Sequence, residues 1–355
     1  MVRLLYRVKK ESKCTLVVGK GALRALPGLI QDRTKCAAAI ITDRTVARLC
    51  SGKLRKVCDA RFSLHLIALN PGERSKKLRN AERCIRILLQ HKVDRHGTLV
   101  ALGGGVVGDL TGFVASVYLR GIDYIQVPTT LLAMVDSGIG GKTGVDFQGV
   151  KNVVGTFHQP RAVVCDTAFL RLLPHDELVN GMAEVIKYGL IGSQTLCAQL
   201  ARSSFSRMPW EKVVQFCVRT KAAMVAQDPL DRKGRRALLN FGHTVGHALE
   251  SLSRFSLSHG QAIAIGMVAA ARLSYQLSGL SQQECEAIET LIAKYELPTR
   301  LPPHTDIGQV MKVMQNDKKA EDGDIKWVLL EKIGKARAGV KVPEEAIRET
   351  LERMK

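Results

Sequence analysis

The 355-residue chain lacks any run long enough to cross a bilayer. Its longest apolar stretch, residues 262–271, falls well short of the roughly 20 that a helical span needs. The first ten residues carry too short an apolar run for a signal peptide, so no membrane association is expected. Aromatic residues make up only 5%, and no recognised nucleic-acid module occurs, which argues against nucleic acid as a partner despite a formal net charge of +20. Nine cysteines are present, an odd number, and none forms a Cys-x-x-Cys pair. A disulfide framework is therefore not expected; reduced thiols in a cytoplasmic protein are. Internal repeats and low-complexity segments are also missing. The basic residues are spread along the chain and suit a field that attracts a small anionic ligand.

Apolar residues make up 46%, enough for a large core and two domains of ordinary size. The first half alternates short apolar strands with helical patterns. Residues 15–18, 38–43, 64–69, 98–102 and 124–127 read as buried strands. Between the third and fourth, Leu78, Ala81, Cys84, Ile85, Leu88 and Leu89 recur at helical spacing. That alternation predicts a parallel, doubly wound α/β sheet of Rossmann-like type. After Leu102 comes Gly103-Gly104-Gly105-Val106-Val107-Gly108-Asp109. A glycine-rich turn from strand into helix lets backbone N–H groups approach a pyrophosphate. The spacing is not Gly-x-Gly-x-x-Gly, so tight turning alone would also account for it. From about Leu173 long amphipathic stretches take over, at 177–190, 210–227, 237–252, 262–277 and 282–295. We expect an N-terminal α/β domain over 1–173 and a mainly helical C-terminal domain over 174–355.

Polar chemistry concentrates in the second half. Glu184 and Lys187 are three apart and share a helix face. His243 and His247 are four apart and share another, with Asn240 and Gly242 just before and His259 beyond. One carboxylate and two imidazoles form a common catalytic zinc set with a position left open for substrate. Spacing alone favours His243 with His247, although Thr244 stands where a His-Glu-x-x-His enzyme needs its glutamate.

These residues belong to a longer series of ordered motifs. The series includes Pro71-Gly72-Glu73-Arg74-Ser75-Lys76, the Gly103 to Asp109 turn and Gln126-Val127-Pro128-Thr129-Thr130. It continues through Val135-Asp136-Ser137-Gly138-Ile139-Gly140-Gly141-Lys142-Thr143-Gly144, Lys151-Asn152 and Ala183-Glu184-Val185-Ile186-Lys187. The Asn240 to His247 segment, His259-Gly260 and Asp317-Lys318-Lys319 complete it. The series covers most of the chain and closely resembles the 3-dehydroquinate synthase family of sugar phosphate cyclases.

The resemblance implies an NAD-binding α/β domain followed by a helical metal-binding domain. It puts the metal, Zn²⁺ or Co²⁺, on Glu184, His243 and His259, so that His247 stays beside the site as a proton or phosphate partner. It implies a substrate that is a seven-carbon keto sugar acid bearing a phosphate and a carboxylate. Lys142, Asn152, Lys187 and His247 would surround the phosphate, with Arg120 reaching in from the second subunit of a homodimer. Lys221, Arg236, Asn240 and either Lys318 or Lys319 would hold the carboxylate and hydroxyls, with Asp136 among them. For NAD it points to Asp43, Gly72, Glu73 and Lys76, to Gly105, Val106, Val107, Gly108 and Asp109, and to Thr129, Thr130, Lys142 and Lys151. Phe169, Leu170, Arg171 and Leu172 complete that set.

Some positions depart from the family pattern. Thr45 stands where Asn is frequent, Asp146 replaces a common Asn, and Gln261 follows His259-Gly260 where Glu is usual. One extra residue lies between Asp228 and Arg236, and we read the acid there as Asp231. The implied reaction is the conversion of 3-deoxy-D-arabino-heptulosonate 7-phosphate to 3-dehydroquinate and phosphate, with NAD restored in each turnover. Another sugar phosphate cyclase or a metal-dependent polyol dehydrogenase would share the architecture. A basic nucleic-acid-binding protein is the non-enzyme alternative.

Overall fold

The computed structural model describes residues 13–30, 38–57, 64–253, 256–318 and 325–355. The chain divides into two compact units, Met1–Thr129 with Gly140–Asp166, and Thr130–Ile139 with Thr167–Lys355. The short segment 130–139 thus belongs with the second unit, inside the stretch the sequence assigns to the first domain.

In the first unit six strands form one parallel sheet: β1 (Thr15–Gly19), β2 (Ala38–Asp43), β3 (Leu64–Leu69), β4 (Thr98–Gly103), β5 (Asp123–Pro128) and, after two further strands, β8 (Ala162–Asp166). Their order is β1-β8-β5-β4-β2-β3. All five strands expected from apolar runs are present. β8 is an additional short apolar run that the sequence reading passed over. Strand β4 is buried along its whole length, because a parallel sheet with helices on its faces leaves no side of a central strand to water. Each fully buried Leu or Val there contributes about 1.5–3 kcal/mol. The unit's helices are α1 (Leu26–Leu29), α2 (Arg44–Val57), α3 (Leu78–Gln90) and α4 (Gly105–Val117). Ala81, Cys84 and Leu88 form the buried stripe of α3, as their spacing predicts. Strands β6 (Lys142–Phe147) and β7 (Val150–Phe157) make a separate antiparallel hairpin, in which Lys142 pairs with Phe157.

The second unit is mainly helical: α5 (His175–Gly192), α6 (Gln194–Arg202), α7 (Trp210–Gln227), α8 (His243–Leu252), α9 (His259–Leu277), α10 (Gln282–Lys294), α11 (Ile307–Lys318) and α12 (Glu344–Glu352). It also carries one antiparallel hairpin, β9 (Lys326–Lys332) with β10 (Lys335–Lys341). The stretch 237–252, read as one helix, is two pieces. A 3₁₀ turn covers Ala237–Asn240, and α8 begins only at His243. Gly242 separates them with φ +80°, and a Cβ there would stand 2.6 Å from the Met267 side chain. A left-handed residue pressed against a neighbouring helix ends one turn and starts the next. Among the described residues, no helix is long and apolar enough to cross a membrane.

Candidate active site

The centre of the second unit is Glu184, wholly buried on α5. Its Oε1 lies 3.6 Å from His243 Nε2 and 3.3 Å from His259 Nε2. Its other oxygen forms an ion pair with Lys187, one turn on and also buried. The three helices meet because their backbones approach closely. A Cβ on Gly266 of α9 would overlap the Gly242 carbonyl, and one on Gly260 would overlap the Asn180 carbonyl of α5. The Gly260 N–H donates to Asn180 Oδ1 at 2.6 Å, which fixes the start of α9 on α5.

His243 and His259 are the first residues of α8 and α9. Helix α9 opens with a capping box, in which Ser258 Oγ accepts from the Gln261 N–H and Gln261 Oε1 accepts from the Ser258 N–H. Gln261 therefore performs the capping that the family's glutamate would, and that departure leaves the site intact. Glu184, His243 and His259 each offer one donor atom within 4.8 Å of the others. Two neutral imidazole nitrogens and a carboxylate oxygen fit a zinc or cobalt ion. His247 is outside this group and exposed, its ring 5.0 Å from that of His243 and 6.4 Å from that of His259. Spacing along one helix thus selects an imidazole that lies outside the converging donor group.

The charges are tuned by burial and by one another. Burial would raise the Glu184 carboxyl, but the Lys187 ammonium beside it and the histidines outweigh that and bring it down to about 2. Burial pushes His243 well below the ordinary imidazole range, with Lys187 adding to the effect, so it is neutral. For His259 burial is overcome by the Glu184 and Glu250 carboxylates, which raise it to about 9 without a cation present.

A second polar knot lies in the same unit. Asp136 sits in a π-helical turn, Ala133–Ser137, a geometry that often marks functional positions. Its Oδ1 accepts from Lys221 Nζ at 2.7 Å and from Tyr188 Oη at 3.0 Å. Burial would raise the Asp136 carboxyl, but Lys221 and Lys187 hold it well below the usual carboxylate range. Arg236 is buried at 4% exposure, and its Nε and Nη1 have no hydrogen-bond partner among the described residues. A guanidinium in that condition is costly unless an anion pairs with it. Asn240 is exposed at the end of the 3₁₀ turn that follows Arg236. Lys318 ends α11, while its side chain and all of Lys319 lie outside the described residues. Asp228 orders the loop before Arg236. Asp228 is buried and accepts from the N–H groups of Arg232, Lys233 and Arg235, whereas Asp231 is exposed. Asp228, Tyr188 and Glu250 were missed because nothing in local spacing separates them from ordinary helix-end polar residues.

In the first unit, α4 starts at Gly105 directly after β4, so the helix N-terminus and its free N–H groups stand at a strand's carboxyl end. That placement fits a pyrophosphate. Gly105 and Val106 are half-buried, while Val107 and Gly108 are buried. A Cβ on Gly108 would meet the Gln126 side chain at 2.8 Å, so Gly108 serves helix–strand packing. Asp109 accepts from Lys76 Nζ at 2.6 Å, and Glu73 Oε1 lies 3.9 Å from the same ammonium. Burial alone would lower Lys76, but Asp109 and Glu73 raise it above its ordinary value. Gly72, φ +90°, starts the turn that carries Glu73 and Lys76. Asp43 ends β2 and caps the next helix by accepting from the Val46 N–H at 2.9 Å through Oδ1. The Thr129 N–H donates to the Gly103 carbonyl, and Thr130 Oγ1 accepts from the Ala133 N–H in the second unit. Lys142 is exposed and Lys151 half-buried on the β6–β7 hairpin. Asn152 is exposed with φ +55°, and Asp146 Oδ1 accepts from its N–H at 2.9 Å. In the second unit, Phe169 and Leu170 are buried while Arg171 and Leu172 are exposed on the turn Thr167–Leu172.

A parallel α/β unit with a strand-to-helix glycine turn, plus a helical unit with a converging Glu–His–His set, fits the class of NAD- and metal-dependent sugar phosphate cyclases. Residues 66–180 match the 3-dehydroquinate synthase N-terminal family and residues 181–320 the 3-dehydroquinate synthase C-terminal family. The chain belongs to the 3-dehydroquinate synthase family. It is 41% identical over 357 residues to the 3-dehydroquinate synthase of Thermosynechococcus vestitus, covering 97% of each chain. Its fold is similar to that of 2-epi-5-epi-valiolone synthase from Streptomyces hygroscopicus subsp. jinggangensis 5008, solved with NAD⁺ and Zn²⁺, at TM-score 0.91, 28% identity and 99% coverage of both chains. It is also similar to a 2-deoxy-scyllo-inosose synthase complexed with carbaglucose-6-phosphate, NAD⁺ and Co²⁺, at TM-score 0.84, 26% identity and 96% coverage of both.

Proposed function

We propose that the chain converts 3-deoxy-D-arabino-heptulosonate 7-phosphate to 3-dehydroquinate and phosphate, using NAD⁺ catalytically and one divalent cation. The observation that carries the choice of substrate is Arg236. Its buried guanidinium, with two unpartnered nitrogens, suits a ligand carboxylate, which a simple polyol lacks. When bound, NAD⁺ supplies a reversible hydride acceptor and the cation polarises substrate oxygens as a Lewis acid. Glu184, His243 and His259 would hold the cation, and the turn from Gly103 to Asp109 would hold the dinucleotide.

The remaining work falls to the chain's own groups. Within the second unit, Lys187 and His247 would bind the phosphate and stabilise its charge as it departs. Lys221 and Asp136, held to each other at 2.7 Å, would orient hydroxyl groups and keep a fixed charge pair in place during proton movement. Asn240 and Lys318 would complete the carboxylate and hydroxyl contacts.

The same reading makes the protein a cytoplasmic homodimer in which Arg120 serves the partner's site. Arg120 and its neighbour Leu119 both adopt left-handed backbone, φ +65° and +49°. Two such non-glycine residues cost of order 1–2 kcal/mol each, a strain that tends to persist where function requires it. Val150, Val153 and Phe157 are exposed on the β7 hairpin and suit a second copy. None of the seven cysteines of the described residues forms a disulfide, and burial pushes the thiols of Cys84, Cys165 and Cys197 up to about 12.

The test is purified protein with the heptulosonate phosphate, Zn²⁺ and NAD⁺ far below substrate concentration. Phosphate and 3-dehydroquinate should form in equal amounts with no NADH accumulating. Stoichiometric NADH without phosphate would make the protein a dehydrogenase.

A further inference from the structure

Glu250 has no part in the roles assigned so far, yet it is a carboxylate buried at 8% exposure. It lies on α8 seven residues beyond His243, two helical turns along the same face. Its Oε2 is 3.4 Å from Nδ1 of His259, whose Nε2 faces Glu184 at 3.3 Å. His243 has the matching arrangement with a different partner, its Nδ1 being 3.1 Å from the Phe241 carbonyl oxygen.

An imidazole gives a lone pair to a cation through one nitrogen only if its proton sits on the other. Both carbonyl and carboxylate oxygens accept, so each of these partners holds the proton on Nδ1 and leaves Nε2 for the metal. The two rings need this to different degrees. The His243 side chain is 12% exposed and packs edge-on against His247. The His259 side chain is 26% exposed, so less packing restrains its rotation.

We propose that Glu250 is a positioning residue for the metal centre. Its carboxylate accepts from the Nδ1–H of His259, fixes the tautomer and ring orientation of that ligand, and makes it a stronger donor. The inference rests on the reading of Glu184, His243 and His259 as the metal ligands. Through Glu250, helix α8 both supplies one ligand and orients the ligand carried by α9.

The experiment measures Zn²⁺ affinity by competition with a chromophoric chelator, and the electronic spectrum of the Co²⁺-loaded protein. Glu250→Leu removes the acceptor while keeping water out, and should weaken zinc binding about 10- to 100-fold and alter the cobalt spectrum. Glu250→Gln retains a carbonyl acceptor and should restore most of the affinity and the wild-type spectrum. NAD⁺ affinity should stay constant in both, which reports that the fold is intact. Wild-type affinity and spectrum in Glu250→Leu, or a Gln variant as weak as Leu, would overturn the proposal. Should the Leu variant not fold, nitrogen-15 spectra of the zinc-loaded wild type still decide, since a His259 lacking a proton on Nδ1 is incompatible with it. His259→Ala separates the two levels. If it keeps stoichiometric zinc, the metal-centre reading fails. If it loses zinc while Glu250→Leu keeps it, only the role of Glu250 fails.

Discussion

The two units prepare for ligands by opposite means. The first does so with backbone: a strand end, a glycine turn and the open N–H groups of α4, with the Lys76–Asp109 ion pair beside them. The second does so with side chains, and places Glu184, Lys187, Lys221 and Arg236 almost wholly out of water. A backbone site is damaged by added bulk and is indifferent to charge. A buried-charge site is damaged when one partner is neutralised, because the other is left unpaired.

The largest expected effect tests where the second unit keeps its ligands. His259→Ala should abolish stoichiometric zinc binding measured by chelator competition, while His247→Ala should keep most of it. Reversed outcomes would return the ligand set to the two histidines of α8. Next comes Lys187→Met, which removes the ammonium paired with buried Glu184 and leaves His259 as its remaining cationic partner in the metal-free protein. That protein should lose about 3–5 kcal/mol by denaturant titration, and the loaded enzyme about tenfold to a hundredfold in turnover. Unchanged stability would mean that Glu184 is neutral in the folded state.

Acid should separate the units without any mutation. Glu184, at about 2, and Asp136 are both held below the ordinary carboxyl range. Their contribution is fully present above the unfolded values of about 4 and is lost as pH falls through the folded ones. Both tryptophans, Trp210 and Trp327, belong to the second unit, so their fluorescence reports on it alone. In metal-free protein that signal should change between about pH 4 and pH 2. A flat signal over this range would show that the buried carboxylates carry no stability.

In the first unit, Gly105→Val should weaken NAD⁺ at least about tenfold, or roughly 1.4 kcal/mol, while zinc affinity stays constant. Loss of both would break the distinction between backbone and side-chain sites. The smallest effect is Gln261→Glu, which exchanges one capping-box acceptor for another and should move stability by less than about 0.5 kcal/mol. A larger change would mean that Gln261 does more than cap α9.

The sequence exposed the parallel sheet because its strands are uninterrupted apolar runs buried on both faces, as in β2 and β4. The β6–β7 hairpin was not legible, since Gly144, Asn152 and Gly155 dilute its alternation and Phe157 and Val153 face outward. Gly242 lies inside the stretch 237–252, whose apolar pattern reads as one helix. Only the position of Met267 across from it makes the break compulsory. At the site, the three-residue spacing of Glu184 and Lys187 was readable because neighbours on one helix are fixed by its period. The pairing of His243 with His259 was not readable from spacing, since it depends on how α9 returns against α5 and α8. Family motifs supplied it. Glu250 escaped for the same reason, its partner being on another helix.

The contact between Gly266 and the Gly242 carbonyl acts as a datum face, in the machinist's sense. Side chains can be exchanged for others of different length, and a contact between them then moves the helices apart or together. Two glycine backbones in contact offer nothing to exchange. The offset between the first turns of α8 and α9 is therefore set by main-chain atoms, and the residues around it can drift without shifting the two imidazoles they carry. If the proposed function holds, a designer wishing to admit a differently shaped sugar would recut Arg236, Asn240 or Lys221 and keep both glycines.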